Sequence, residues 1–158
     1  MRELWIGHDF ALGYRREGDV AHAARLLGRP FRLSGRVVPG DGRGRAIGIP
    51  TANLDVWQEH AVPANGVYAC RAWVGHIPQR AAVNIGTRPT VSDETRRTVE
   101  AHLLSFDKDL YGLNIALDFF ERLRGEQKFA NVPELVAQIK SDVETTRSLL
   151  SNKVMRDT

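Results

Sequence analysis

With 158 residues, the chain is long enough for one domain with a hydrophobic core, and its 42% hydrophobic and 26% charged residues are ordinary for a globular protein. No apolar run approaches the ~18–20 residues that cross a bilayer, so we expect no membrane-spanning helix. The net charge of +3 originates in residues 1–50, where nine Lys and Arg stand against five Asp and Glu, an excess that suits a polyphosphate or a nucleic acid.

The first 38 residues predict a strand, a helix and a second strand. Residues 1–13 are typical of a short strand and turn. A helix is predicted from Val20, because Asp19 can cap its start and Gly28 is placed to end it. Residues 31–38 then alternate polar and apolar side chains, as a strand does.

The most informative segment is the glycine-rich string GDGRGRAIGIPTAN, residues 40–53. Glycines let backbone N–H groups approach a ligand and form a concave anion site, to which arginines add charge. Thr51 and Asn53 point to the same side of an extended backbone, so both can reach one hard cation such as Mg²⁺. We predict a phosphate-binding loop with a metal site at its end, formed by Gly40, Gly42, Arg43, Gly44, Arg45, Gly48, Pro50, Thr51 and Asn53.

Two common glycine-loop motifs do not fit this segment. A Walker A loop requires Gly-x-x-x-x-Gly-Lys-Ser/Thr at the start of a helix. A dinucleotide-binding loop also opens a helix, whereas Pro50 disfavours helical geometry at Ile49. Glycines alone most often mark a turn, so the prediction depends on the whole string.

Four strand-length segments follow the loop, each bounded by turn signals. Because no helix separates them, they predict a small antiparallel barrel rather than alternating βαβ units. The segments are Val67–Val74, Arg80–Ile85, Val99–Phe106 and Ile115–Leu123. Within the third, Glu100 and His102 lie on one face. From spacing alone they are either solvated side chains or a functional pair.

A helix is predicted at the C-terminal end. Asn131–Glu134 resembles a capping box with Pro133 in the first turn. Apolar residues at helical spacing follow and give the helix a face that packs on the barrel: Leu135, Val136, Ile139, Val143, Leu149 and Leu150. Residues 151–158 are expected to be a frayed tail.

The string GRGRAIGIPTAN resembles the signature of riboflavin kinases, including the kinase half of bacterial bifunctional FAD synthetases. The segments NIGTRPT (84–90) and DLYG (109–112) are similar to family sequence at matching separations. The resemblance covers residues 28–150 and implies transfer of the ATP γ-phosphoryl group to the 5′-hydroxyl of riboflavin, which gives FMN. The expected fold is mainly β: a small closed antiparallel Greek-key barrel of about six strands with a C-terminal helix packed on it.

The resemblance also implies roles for individual residues. The glycine-rich loop would cover the ATP phosphates, and Thr51 and Asn53 would hold the metal, Mg²⁺ or alternatively Zn²⁺ or Mn²⁺. Glu100 would be the general base, with His102 either orienting it or packing beside it. The flavin would contact Arg124 and Phe129 in the charged turn RLRGEQKF, together with Asn84 and Gly86.

The N-terminal segment, residues 1–27, resembles a remnant of the FMN adenylyltransferase domain and its linker helix. Fewer than about 30 residues cannot build the parallel sheet of such a domain, so we expect kinase activity without FAD synthesis. The expected partners are riboflavin and ATP, with no nucleic acid and no membrane, and the expected state is a monomer. One cysteine, Cys70, and no signal-peptide core favour a cytoplasmic protein, with Cys70 a buried packing residue.

Two other functions fit parts of the sequence. A non-catalytic flavin- or nucleotide-binding module would share the loop but needs neither metal ligands nor a base. A small basic barrel could instead bind single-stranded nucleic acid, which requires aromatic side chains alternating with basic ones. The aromatic residues of the predicted strands do not alternate in that way.

Overall fold

The structure is a computed structural model that describes residues 19–57, 60–89 and 95–151. The predicted strand and turn over residues 1–13 lie outside this range, as does the predicted tail after Ser151. The elements are helix α1 (Val20–Leu27), strand β1 (Phe31–Val38), helix α2 (Arg43–Ala46), strands β2 (Ala52–Asp55), β3 (Gly66–Val74), β4 (Ile77–Pro89), β5 (Thr95–Leu103) and β6 (Asn114–Arg124), and helix α3 (Val132–Leu150).

The six strands form a closed antiparallel barrel in the order β1-β2-β5-β4-β3-β6. Strands β3, β4 and β5 are consecutive neighbours, and β6 returns to lie beside β3, which is a Greek-key connection. The predicted fold class is therefore confirmed. None of the helices in the described ranges is long and apolar enough to cross a membrane.

The predicted capping residues lie where α1 begins and ends and where α3 begins. The side chain of Asp19 accepts a hydrogen bond from the His22 amide, and Gly28 ends α1 in the left-handed conformation with φ of 69°. Asn131 Oδ1 accepts from the Glu134 amide at 2.9 Å at the start of α3. These caps satisfy amide groups that a helix leaves without partners.

Strand β4 is longer than the six residues predicted for it. Residues 86–89 pair with residues 95–98 of β5, so the hairpin extends beyond Gly86, which the sequence suggested as a turn. Strand β5 correspondingly begins at Thr95 rather than Val99. It ends at Leu103 rather than Phe106, because the backbone turns at Ser105, where φ is 55°. Cross-strand pairing therefore overrides the local turn signals.

The barrel interior holds most of the hydrophobic core. Tyr68 and Phe119 meet edge-to-face with ring centroids 5.3 Å apart, and both are fully buried. Cys70 lies in the same core, where burial raises the pKa of its thiol well above the usual value. This confirms that Cys70 is a packing residue. Helix α3 covers the outer face of the sheet, where Leu150 packs with Ala69.

A buried charge cluster lies on another part of the outer face. The Asp118 carboxylate accepts hydrogen bonds from Arg32 at 2.6 and 2.9 Å, from Arg71 at 3.1 Å and from Trp73 Nε1 at 2.8 Å. The three donors come from β1 and β3, which flank β6 in the barrel. Asp118 therefore links three strands, and it is 1% exposed.

We expect Asp118→Asn to lower the free energy of unfolding by about 3–5 kcal/mol, because it removes a buried carboxylate charge that pairs with both Arg32 and Arg71. Urea unfolding at neutral pH measures this loss. Asp55→Asn is the matched control, since Asp55 pairs with Arg96 at 2.7 Å in an exposed position. The control should cost about 1 kcal/mol or less. Equal losses in the two variants would contradict the role given to Asp118.

The same cluster predicts a pH dependence. Burial by itself would raise the pKa of the Asp118 carboxyl, but the hydrogen bonds from Arg32, Trp73 and Arg71 outweigh it and lower that pKa. The carboxylate therefore stabilises fully above its unfolded pKa of about 3.9 and loses this contribution as the pH falls through the lower folded value. Between about pH 5 and pH 2, wild-type protein should lose stability that Asp118→Asn does not lose.

Candidate active site

Three polar residues form a row across neighbouring strands of the barrel. Asn53 on β2 is paired with Glu100 on β5, and Glu100 is paired with Asn84 on β4. Their chain neighbours Ala52 and Ala101 are buried in the core. Because side chains alternate along a strand, the row faces outward. The antiparallel register therefore brings together a predicted metal ligand, the predicted base and a predicted flavin contact.

The glycine-rich loop lies directly on this row. A Cβ at Gly40 would overlap the amide of Asn53, and a Cβ at Gly44 would overlap the Ile49 carbonyl and stand 3.2 Å from Thr51 Oγ1. Glycine is therefore required at both positions for the loop to approach Thr51 and Asn53 so closely. The loop therefore packs directly against both predicted metal ligands.

A short helical turn, α2, occupies the middle of the predicted phosphate-binding loop. Gly42 starts it in the left-handed conformation with φ of 69°. The amides of residues 46–49 donate to carbonyls of Gly42, Gly44 and Arg45. Those four amides are therefore already bonded within the turn.

Arg88 connects the loop to the row. Its Nη2 donates to Glu100 Oε1 at 2.5 Å, and its Nη1 lies 3.0 Å from Asp41 Oδ2. Sequence reasoning did not select Arg88 as a site residue. The signal was present, because Asn84, Gly86 and Arg88 recur at every second position and share one face of β4.

His102 supports the loop and not the predicted base. Its Nδ1 lies 2.7 Å from the Pro50 carbonyl oxygen, which can only accept, so the ring nitrogen donates. This contact holds Pro50 at the end of the loop, next to Thr51. Of the two alternatives for His102, the hydrogen bond does not support an orienting contact with Glu100, and packing beside Glu100 stays a prediction.

A small cavity of about 80 Å³ opens beside Thr51, one of the two predicted metal ligands. Arg45, Pro50 and Thr51 line one side of it, and Asp109 and Tyr111 of the DLYG segment line another. Two motifs that are distant in sequence thus share one cavity. A larger surface cavity of about 700 Å³ lies over β1 and β2 and contains none of the predicted site residues, so size alone does not locate the site.

The predicted flavin contacts lie at the other end of the row. Glu126, which sequence reasoning did not select, lies against Gly86, with Oε1 3.1 Å from the position a Cβ would take there. The Arg124 guanidinium donates to Asp142 of α3 at 2.8 and 3.1 Å and lies 5.8 Å from the ring centre of Phe129. Arg124 therefore connects the turn to α3, and its direct contact with a flavin stays a prediction.

The donor set suits a hard cation. Thr51 and Asn53 offer neutral oxygen atoms on the same side of the strand. Within the described ranges, no group of three or more His, Cys, Asp or Glu residues is placed to hold a metal ion. A cation bound here would depend on these two oxygens, ligand oxygens and water. Mg²⁺ accepts such a combination, and zinc in structural sites prefers nitrogen and sulfur.

We expect Gly40→Ala to abolish stabilisation by Mg·ADP, because the added methyl group displaces the Asn53 amide. Thermal denaturation with and without Mg·ADP measures this. Gly28→Ala, at the end of α1 and outside the loop, is the matched control: its φ of 69° strains an alanine, but no atom lies within 4 Å of the added carbon. The control should retain a shift from Mg·ADP. Equal shifts in wild type and Gly40→Ala would contradict this interpretation.

Comparison with known proteins shows the family to which the chain is similar. The family model for Flavokinase (riboflavin kinase) matches residues 27–150. The bifunctional riboflavin kinase/FMN adenylyltransferase of Escherichia coli K12 is 46% identical over 132 residues, which cover 83% of this chain and 42% of that protein. The chain thus spans less than half the length of this relative.

Solved structures give the same result at the level of the fold. The crystal structure of riboflavin kinase from Trypanosoma brucei matches with a TM-score of 0.59 and 27% identity, over 81% of this chain and 84% of that one. A protein from Streptococcus pneumoniae described as a macrolide-efflux protein matches with a TM-score of 0.79 and 37% identity, over 83% and 43% of the two chains. On the extent of the family match, this chain belongs to the riboflavin kinase family.

Proposed function

We propose that this chain is an ATP:riboflavin 5′-phosphotransferase that produces FMN. The observation that carries the proposal is the row Asn53, Glu100 and Asn84 beneath the glycine-rich loop. The row brings the amide of Asn53, whose oxygen would hold a cation, next to the carboxylate of Glu100, and a cation and a base are what phosphoryl transfer to an alcohol requires. Membership of the family supports the choice of riboflavin and ATP as substrates.

In this proposal the loop and the small cavity bind the nucleotide. The phosphates would lie against the glycine-rich loop, with Arg43 and Arg45 adding positive charge. The apolar side chains of Phe106 and Leu110 in the cavity suit the base of a nucleotide. Thr51 and Asn53 would hold Mg²⁺, which supplies charge neutralisation to the phosphate oxygens. Zn²⁺ and Mn²⁺ are the alternatives to be compared.

Glu100 accepts the proton of the riboflavin 5′-hydroxyl. The hydroxyl oxygen forms a bond to the γ-phosphorus while the bond from that phosphorus to the β–γ bridging oxygen breaks, and ADP leaves. Phosphoryl transfer has a loose transition state, so the protein contributes mainly alignment and charge neutralisation, and the proton leaves late. Asn84 and Gly86, one strand away, would contact the flavin, and the turn that contains Phe129 would close over it.

The direct test is incubation with riboflavin, ATP and Mg²⁺, followed by chromatography that separates riboflavin, FMN and FAD. We expect FMN and no FAD. Absence of FMN with Mg²⁺, Zn²⁺ and Mn²⁺ would contradict the kinase proposal. Binding of riboflavin and Mg·ADP without turnover would favour a non-catalytic binding module. The monomeric state and cytoplasmic location also remain predictions, and size-exclusion chromatography tests the first.

Glu100→Gln and Asn53→Ala should fail in different ways. Glu100→Gln keeps the shape of the side chain and removes the base, so kcat should fall about 10²–10⁴-fold while riboflavin and ATP still bind. Asn53→Ala removes a metal ligand, so the rate should depend more steeply on Mg²⁺ and Mg·ATP should bind more weakly. Thr51→Ala should resemble Asn53→Ala.

Steady-state kinetics over a series of Mg²⁺ concentrations separates these two patterns. Quenching of riboflavin fluorescence provides the control for folding, because a variant that is merely unstable loses both binding and turnover. If Glu100→Gln retained the wild-type kcat, Glu100 would be a solvated strand residue and not the base.

A further inference from the structure

Arg88 lies between two carboxylates that belong to different parts of the site. One is Glu100 on β5, at 2.5 Å, and the other is Asp41 in the glycine-rich loop, at 3.0 Å. Arg88 is therefore placed to couple the position of the loop to the position of the base.

We propose that Arg88 is a positioning residue for phosphoryl transfer: it orients the carboxylate of Glu100 through Oε1 and holds the loop over the row through Asp41. The inference rests on the proposed kinase function and adds to it a residue that acts through two others. Arg88 itself has only donors and remains charged, so it cannot accept the proton of a substrate hydroxyl.

The shape of the guanidinium explains why one residue can serve both carboxylates. Its N–H groups form a rigid planar fork, so the direction of one hydrogen bond restricts the direction of the other. On the Glu100 side, the bond engages Oε1 and leaves Oε2 for a substrate hydroxyl. Without this bond, the carboxylate of Glu100 is free to change rotamer, and productive alignment becomes less frequent.

On the loop side, Asp41 precedes the left-handed Gly42 that starts α2. A segment rich in glycine has many backbone conformations to lose when it becomes ordered. An ion pair at its beginning restricts those conformations before a nucleotide binds. Because the side chains of Arg88 and Asp41 are 41% and 45% exposed, the pair contributes little to global stability, and variants should fold.

The first test is a double-mutant cycle on kcat. Arg88→Ala should lower kcat by about 10–100-fold, as expected when a reacting group is misplaced. In the Glu100→Gln background, the same substitution should lower kcat little further, because no base remains to be oriented. Arg88→Lys, which restores a charge but not the fork, should recover part of the loss. Equal effects of Arg88→Ala in both backgrounds would overturn the role toward Glu100.

The second test addresses the loop. Asp41→Asn should raise the KM for ATP more than it changes kcat, and it should increase hydrogen–deuterium exchange of the amides of residues 42–48 in the free protein. Arg88→Ala should increase the same exchange. Unchanged exchange in both variants would overturn the role toward the loop.

Arg96→Ala is the matched control. Arg96 faces Arg88 in the β4–β5 register and makes its own ion pair with Asp55, so it tests removal of a nearby exposed cation. Both kcat and loop exchange should stay at wild-type values. Failure of the proposed function can be distinguished from failure of this inference. If the kinase proposal is wrong, wild-type protein forms no FMN, and the role of Arg88 toward Glu100 is overturned with it. Hydrogen–deuterium exchange of the loop still decides the role of Arg88 toward Asp41.

Discussion

The antiparallel register of β2, β5 and β4 is the constraint on which the candidate site depends. It aligns Asn53, Glu100 and Asn84 across three strands that come from distant parts of the sequence. A shift of one residue in either pairing would turn Glu100 toward the core and Val99 toward the solvent. The buried residues on the other face of the strands prevent this shift, since each of them would lose its place in the core. The hydrophobic core therefore fixes the relative positions of Asn53, Glu100 and Asn84.

The site lies on the outer face of the barrel, and this location explains several features of the sequence. The barrel interior is filled by side chains such as Tyr68 and Phe119 and has no room for a ligand. On the proposed function, substrates would be enclosed by segments that lie over the outer surface. The glycine-rich loop is one such segment, and the turn that contains Phe129 is another. Both are held by hydrogen bonds or ion pairs to the strands beneath them or to α3.

Charged residues on the outer face thus divide into two kinds. Asp118, with Arg32 and Arg71, is buried and stabilises the barrel. Arg88, with Asp41 and Glu100, is about half-exposed and connects parts of the site. Exposed ion pairs contribute little to stability, so the second group is better explained by positioning than by folding. Arg124 and Asp142 belong structurally to the first kind, since both are largely buried.

Sequence alone determined the elements whose signals are local. The capping residues Asp19 and Asn131 predicted where α1 and α3 begin. Alternation predicted β1, and turn signals predicted β3 and β6, nearly to their full extent. The glycine-rich string, through its resemblance to a known family, also gave the fold class and the family. These features depend on neighbours within a few residues or on a contiguous motif, so they can be read along the chain.

Only the tertiary structure decided which side chains meet. These contacts join residues between 12 and 52 positions apart in the sequence. They are the contacts of Arg88 with Glu100 and Asp41, of His102 with Pro50, and of Glu126 with Gly86. The same is true of Arg124, whose pairing with Asp142 depends on where α3 packs. Strand register and helix packing set these contacts by burying the opposite faces of the same elements. No local pattern specifies them, because they result from the whole core being filled at once.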